Sequence, residues 1–218
     1  MAEAGAFSRV VWVAAAVALA VAVAATFPVA GHQGTGEAQM THLAGSHKKI
    51  WARLQRWLLH AATTPLAVRR AFPPRVLKSI GAAIELAEAG HTGEIRFVVE
   101  GSLPWVFLRR NASVRHRALA LFSELRIWDT EHNNGILIYV ELADRGVEIV
   151  ADRGIARRVD TEVWHRICHD LKEKCKAAQF EAGAVGAVRE VGSLLQREFP
   201  LAPGQARINE LPDRPLTL

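Results

Sequence analysis

The sequence predicts an α/β fold: a three-layer α/β/α sandwich around a small mixed β-sheet, preceded by an N-terminal hydrophobic segment. Two short apolar runs, 136–142 (ILIYVEL) and 147–150 (VEIV), flank Ala143, Asp144, Arg145 and Gly146. β-branched and aromatic residues on either side of that turn chemistry read as an antiparallel hairpin. Upstream, a strand at 95–100, a helix at 113–127 and the strand at 136–142 form a β-α-β unit, so the sheet combines a parallel pair with a hairpin partner. Helical periodicity over 76–89, 162–178 and 183–199 supplies the outer layers. A chain of 218 residues, 50% of them hydrophobic, is long enough to bury one such core.

Taken in order, residues 1–39 hold the hydrophobic segment and a linker. The run 10–30 (VVWVAAAVALAVAVAATFPVA) is almost free of charge and about long enough to span a bilayer. Three readings stand: a membrane anchor with a single N-terminal segment, a signal removed to leave a secreted or periplasmic protein, or a mis-assigned start with translation from Met40 and a cytoplasmic product. Lys48, Lys49, Arg53 and Arg56 outnumber Arg9 and favour a cytoplasmic C-terminal side for an anchor.

Residues 40–72 form a basic amphipathic region. Over 48–61, Ile50, Trp51, Leu54, Trp57 and Leu58 fall on one helical face, with Lys49, Arg53 and Arg56 elsewhere. Such a helix either lies on anionic headgroups or packs on the domain with its cations in solvent. The globular domain is expected at 73–199. Pro73 and Pro74 suit a helix start, and Gly90 suits the stop of a helix with Leu77, Ile80, Ala83, Ile84 and Ala87 on one face. IRFVVE at 95–100 is a near-continuous apolar strand, as expected of one covered on both sides. Pro104 argues against a central strand and for an irregular loop or an edge over 102–111. Ser113 and Asp160 or Thr161 are N-cap residues for the following helices. The stretch 200–218, with Pro203, Pro212 and Pro215 and no periodicity, is expected to be a loose tail.

The formal charge of +5 raises the question of nucleic acid, but no zinc finger, RNA-binding sheet signature or helix-turn-helix is present, so no nucleic-acid partner is expected. The sequence sets no oligomeric state. Cys168 and Cys175 lie about 10 Å apart on one helix, too far to pair with each other. His165, Cys168 and His169 share a helix side, but no fourth zinc ligand stands at motif spacing and Arg166 replaces the glutamate of a zinc protease. No serine occupies a strand-turn-helix elbow, and no Gly-rich loop cradles phosphate.

The polar residues before the first hairpin strand and after the second share one rim of the sheet, because an antiparallel return brings the exit of one strand beside the entry of the other. Asp129, Glu131, Asn133, Asn134 and Asp152 offer the hard oxygen ligands that Ca²⁺ or Mg²⁺ takes, and Glu94 and Glu88 reach toward the same region. Asp129, Glu131 and Asn133 repeat the first spacings of a calcium loop. Asn134 stands where that motif needs Gly and Val140 where it needs a bidentate acid, so this is no EF-hand. The alternative is purely structural: Asp129 caps a turn, Asn134-Gly135 shapes the strand entry, and Asp152–Arg153 is an internal ion pair.

Gly93-Glu94-Ile95-Arg96-Phe97-Val98-Val99, then a helix, then Asn133-Asn134-Gly135-Ile136-Leu137-Ile138-Tyr139, then Val147-Glu148-Ile149-Val150-Ala151-Asp152-Arg153-Gly154-Ile155, then Phe180 with Gly183 and Gly186, resembles the TPM domain family. This group includes thylakoid acid phosphatase-like and photosystem-repair proteins, and the resemblance covers about 84–199. It implies an α/β/α sandwich, frequent membrane tethering and a divalent cation such as calcium, with phosphatase activity in some members and an assembly or repair role in others. Longer members carry a Gly-rich tail and a C-terminal membrane span, whereas here the tail is short and the hydrophobic segment is N-terminal.

Two functions are therefore expected. In the favoured one, the ion clips the rim loops of a membrane-associated interaction or assembly module that docks on a membrane-protein partner. In the alternative, an ion held by Asp129, Asn134 and Asp152 polarises a phosphate monoester, with Arg153 or Arg145 stabilising the developing charge.

Overall fold

The computed structural model describes residues 37–204 and 208–218. The hydrophobic run at 10–30 lies outside them. Among the described residues no helix is long and apolar enough to cross a membrane. The chain divides into two compact units, Met1–Gln55 and Arg56–Leu218. Helix α1 (Glu37–Ala62) starts in the first unit and ends in the second. In the first unit Ile50, Trp51 and Leu54 are exposed.

The second unit continues with α2 (Pro65–Ala71), α3 (Pro74–Glu88), β1 (Glu94–Glu100), α4 (Trp105–Arg109), α5 (Val114–Glu124), β2 (Gly135–Glu141), β3 (Gly146–Ala151), α6 (Arg153–Ala156), α7 (Thr161–Lys176), α8 (Phe180–Glu198) and β4 (Leu216–Thr217). The strand order is β3-β2-β1-β4. β1 and β2 are parallel, with Glu94 opposite Gly135 and Glu100 opposite Glu141. β2 and β3 form the expected antiparallel hairpin, with Ile136 opposite Ala151 and Glu141 opposite Gly146.

Alternation along the strands sends side chains into two cores. Ile95, Phe97 and Val99 of β1, Ile136, Ile138 and Val140 of β2 and Ile149 of β3 join α3, α7 and α8 on one face, where Ile80, Ile84, Ile167, Leu171, Val188 and Val191 are buried. Val98, Leu137, Tyr139 and Val150 face the other way, against Ala118 and Leu121 of α5. The result is a three-layer α/β/α sandwich around a mixed sheet. Ser113 and Asp160 cap α5 and α7 by accepting the His116 and Glu162 backbone N–H groups, and Pro74 opens α3, where a missing N–H costs little.

Three features depart from the sequence reading. Pro104 introduces the short helix α4, because proline at a helix start fits where it would break a strand. The tail is docked: Leu216 and Thr217 pair in parallel with Val98 and Val99, and the buried guanidinium of Arg96 donates to the carbonyls of Pro212 (2.5 Å) and Arg214 (2.7 Å). Burial holds Arg96 below the ordinary arginine pKa, partly offset by the charge of Asp213. Finally, the last turns of α1 do not pack their apolar side on the domain. Arg56 and His60, four residues apart and so on one face, turn inward, while Trp57, Leu58 and Leu59 stand 38%, 43% and 46% exposed.

Candidate functional site

Two loops meet at the amino-terminal ends of β1 and β2, beside the exit of β3. The Gly154 N–H donates to the Asn133 carbonyl at 2.8 Å and the Asp152 N–H to the Gly135 carbonyl at 2.9 Å. Gly154 is needed for this approach, since a Cβ there would lie 2.5 Å from the Asn133 oxygen and 2.6 Å from that of His132. Gly135 plays the same part beneath, where a Cβ would sit 2.0 Å from the Ile127 carbonyl oxygen. Asn133 itself has φ +52°, a left-handed conformation that asparagine tolerates better than most residues.

Asn134 is fully buried. Its N–H donates to Thr130 Oγ1 at 3.1 Å, and its side-chain Nδ2 to Thr92 Oγ1 at 3.2 Å. Asp152 is buried as well, and its Oδ1 caps α6 by accepting the Arg153 N–H at 2.7 Å. Asn134 Oδ1 and Asp152 Oδ2 are both buried without a hydrogen-bond partner. Such atoms are uncommon in folded proteins, and each forfeits the hydration it had in the unfolded chain.

The other sequence candidates lie around this pair. Asp129 is exposed, and its N–H closes a turn on the Arg126 carbonyl. Glu131 is exposed and donates its N–H to the Glu210 carboxylate. Glu94 is fully buried, its two oxygens accepting the Glu210 and Leu211 N–H groups at 3.3 and 3.2 Å and so fastening the tail. Glu88 accepts the Ile95 N–H at 2.6 Å. Among the described residues, no three of His, Cys, Asp and Glu converge as a metal cluster. What the two loops carry at this rim is one buried carboxylate, one buried amide and backbone carbonyls.

Arg153 is exposed beside Asp152. Arg145 sits at the hairpin turn, where Gly146 pairs with Glu141, roughly 20 Å along the strand from Asp152, so it cannot serve this rim. The arginine that does border the site was missed in the sequence. Arg158 stacks 4.4 Å over the Phe199 ring and donates to the Glu198 carbonyl at 2.6 Å. With Thr92, Glu131, His132 and Asn133 it bounds an open depression of about 580 Å³. On α7, His165 and His169 are exposed, and burial pushes the Cys168 thiol up to about 11, leaving it unsuited to nucleophilic work at neutral pH.

The opposite rim, at the carboxyl ends of β1 and β2, is built differently. Glu100 and Glu141 stand side by side in register, both buried. Tyr139 Oη donates to Glu100 at 2.5 Å, and Arg117 Nε and Nη2 clasp the same carboxylate at 3.0 Å. These bonds and the neighbouring acids outweigh burial and raise the Arg117 pKa, while burial first, and then Glu100, raise that of Tyr139. Glu141 accepts the N–H groups of Asp144 (2.7 Å) and Ala143 (3.2 Å), but burial dominates and pushes its carboxyl up to about 8. Arg56 donates to Asp144 through Nη2 (2.7 Å) and Nε (3.1 Å) and to the Ala112 carbonyl (2.7 Å). Burial works to raise Asp144, but Arg56 and His60 prevail and hold its carboxyl below the usual range. His60 Nδ1 accepts the Leu103 N–H at 3.1 Å, and its Nε2 lies 3.2 Å from Asp144 Oδ1.

Comparison with known proteins gives a family. The family model described as the TPM domain matches residues 70–194. None of the curated proteins matches the chain. Among solved structures, the NMR structure of the BA42 protein from the psychrophilic bacterium Bizionia argentinensis is similar, at a TM-score of 0.58 and 29% identity over 66% of this chain and 93% of that one. With its mixed sheet, its two helical layers and a family match across most of the folded part, the chain belongs to the TPM domain family.

Proposed function

We propose that the domain is an interaction module whose rim loops are clipped by a divalent cation, Ca²⁺ or Mg²⁺, and which serves membrane-protein partners. The observation that carries this reading is the pair of buried, partnerless oxygens, Asn134 Oδ1 and Asp152 Oδ2, on loops tied directly to one another. A hard cation takes carboxylate, amide and carbonyl oxygens together, and no thiol or imidazole is needed. Asn134 and Asp152 would hold it, with the neighbouring backbone carbonyls and water completing the shell. When bound, the ion supplies charge neutralisation for a buried carboxylate and a cross-link between the two loops. The protein's own part is to keep both loops close through Gly154 and Gly135 and to aim Asp152 by its cap on α6. The uncharged run at 10–30 supports the membrane setting.

Thermal unfolding of the full chain tests the clip. A cation at one hundred times its Kd stabilises by about 2.7 kcal/mol, which is roughly 5–10 °C for a domain of this size. Asp152→Asn keeps the helix cap and should lose that gain with little change in the cation-free midpoint. An equal gain in wild type and variant would refute the site. Turnover of a phosphate monoester that needs the cation and disappears in Asp152→Asn would instead establish the phosphatase reading.

A further inference from the structure

The second surface of interest lies at the other end of the sheet. α1 meets the domain through polar side chains, Arg56 on Asp144 and Ala112 and His60 on Leu103, and turns its apolar ones to solvent. Trp57, Leu58 and Leu59 are exposed, and so is Leu66 on α2, at 53%. A helix at the surface of a globular domain normally does the reverse. Beside Leu66, Arg69 and Arg70 are exposed. α4, whose preceding segment is tethered to His60 through the Leu103 N–H, adds exposed Trp105 with Arg109 stacked 5.1 Å over its ring. Between Glu37 and Glu85 every Lys, Arg, Asp or Glu in the chain is a Lys or an Arg.

We propose that the end of α1 together with α2 lies on an anionic lipid surface, with Trp57, Leu58, Leu59 and Leu66 in the boundary between headgroups and acyl chains and Arg69 and Arg70 on lipid phosphates. Tryptophan and leucine beside arginine, without any acid, are the composition of an interfacial helix. Charge selects this occupant over a second copy of the chain, because a two-fold contact through this face would set its arginines against themselves. The uncharged run at 10–30 in the same chain points to the same phase. Because the clasp of α1 is on the carboxyl-end rim, such docking leaves the Asn134–Asp152 rim free. The inference does not depend on a cation there.

Site-directed spin labelling of the full chain tests it. Cys168→Ala and Cys175→Ala remove the native thiols, and labels are placed one at a time through Leu58→Cys, Leu66→Cys and, on the tail at the far rim, Ile208→Cys. With EDTA present throughout, vesicles of phosphatidylcholine mixed with phosphatidylglycerol should move the labels at 58 and 66 from nickel-accessible to oxygen-accessible, while 208 stays aqueous. Phosphatidylcholine alone should not, and Arg69→Glu with Arg70→Glu should abolish the shift. Labels at 58 and 66 that remain aqueous on anionic vesicles would overturn the proposal. So would immersion indifferent to the arginine reversal, or spin–spin broadening at 58 without lipid, which would mark a second copy as the occupant. EDTA keeps the outcome separate from that of the Asp152→Asn experiment.

Discussion

The two rims of the sheet hold similar numbers of polar groups and settle them in opposite ways. At the carboxyl-end rim Glu100 is bound by Tyr139 and Arg117, Glu141 by two backbone N–H groups, and Asp144 by Arg56 and His60. At the amino-end rim Asn134 and Asp152 each use one side-chain atom and leave an oxygen with none. Ligands of parallel α/β sheets usually bind at the carboxyl ends of the strands. Here that end is occupied by the protein's own α1 and α4, and the two buried oxygens without a hydrogen-bond partner, Asn134 Oδ1 and Asp152 Oδ2, lie at the other. Satisfaction, more than position in the sheet, distinguishes a structural network from a site ready for a ligand.

The largest effect that separates the rims is expected from Arg117→Ala. It strands Glu100, 4% exposed, beside Tyr139, and breaking a buried pair by removing one partner costs about 3–5 kcal/mol. Urea unfolding measures this directly. A loss comparable to that of an exposed position would mean that water already reaches the network. Next comes Gly154→Ala, whose methyl must displace two backbone carbonyls, an overpacking cost of about 1–3 kcal/mol. The same substitution should part the loops and erase cation-dependent stabilisation, which Arg117→Ala should spare.

A third effect appears only when the pH is changed. Glu141 titrates near 8 in the folded protein, against 4.5 in the unfolded chain. Below 4.5 both states hold the proton, and the carboxyl contributes no difference. From there to about 8 the folded state binds more protons, so stability falls as pH rises. Asp144, held low, has the opposite sign: its contribution is present above its unfolded value and lost on acidification. Glu141→Gln should therefore match wild type near pH 5 and exceed it by a few kcal/mol at most near pH 9, read from urea midpoints at both pH values. A constant difference across that range would show that Glu141 stays ionised.

Periodicity carried most of the fold. Strands expected at 95–100, 136–142 and 147–150 appear at Glu94–Glu100, Gly135–Glu141 and Gly146–Ala151, because each combines β-branched composition with clear turn residues at its ends. The tail was illegible for a physical reason. It is held by backbone carbonyls to Arg96, by N–H groups to Glu94 and by a two-residue pairing with β1, contacts that span more than a hundred residues and impose no hydrophobic repeat. The orientation of α1 was equally hidden, since a helical wheel shows which face is apolar but not which one meets the domain. Hairpin geometry did place residues 133–134 beside 152, but Thr92, Thr130 and Arg158 come from separate turns that only the fold brings in. The opposite network left one sequence signal: IRFVVE and ILIYVE both end an apolar run with glutamate, and the parallel register sets those two acids abreast.

The docked tail has a consequence for self-association. With only two residues, β4 covers part of the free side of β1, and Leu218 extends the cover by donating to the Val99 carbonyl and accepting the Gly101 N–H. Without it β1 would present unpaired backbone groups on an open sheet edge, the kind of template onto which another chain can add. Residues 216–218 thus do for β1 what a neighbouring strand would, closing an edge that is otherwise open to strand addition.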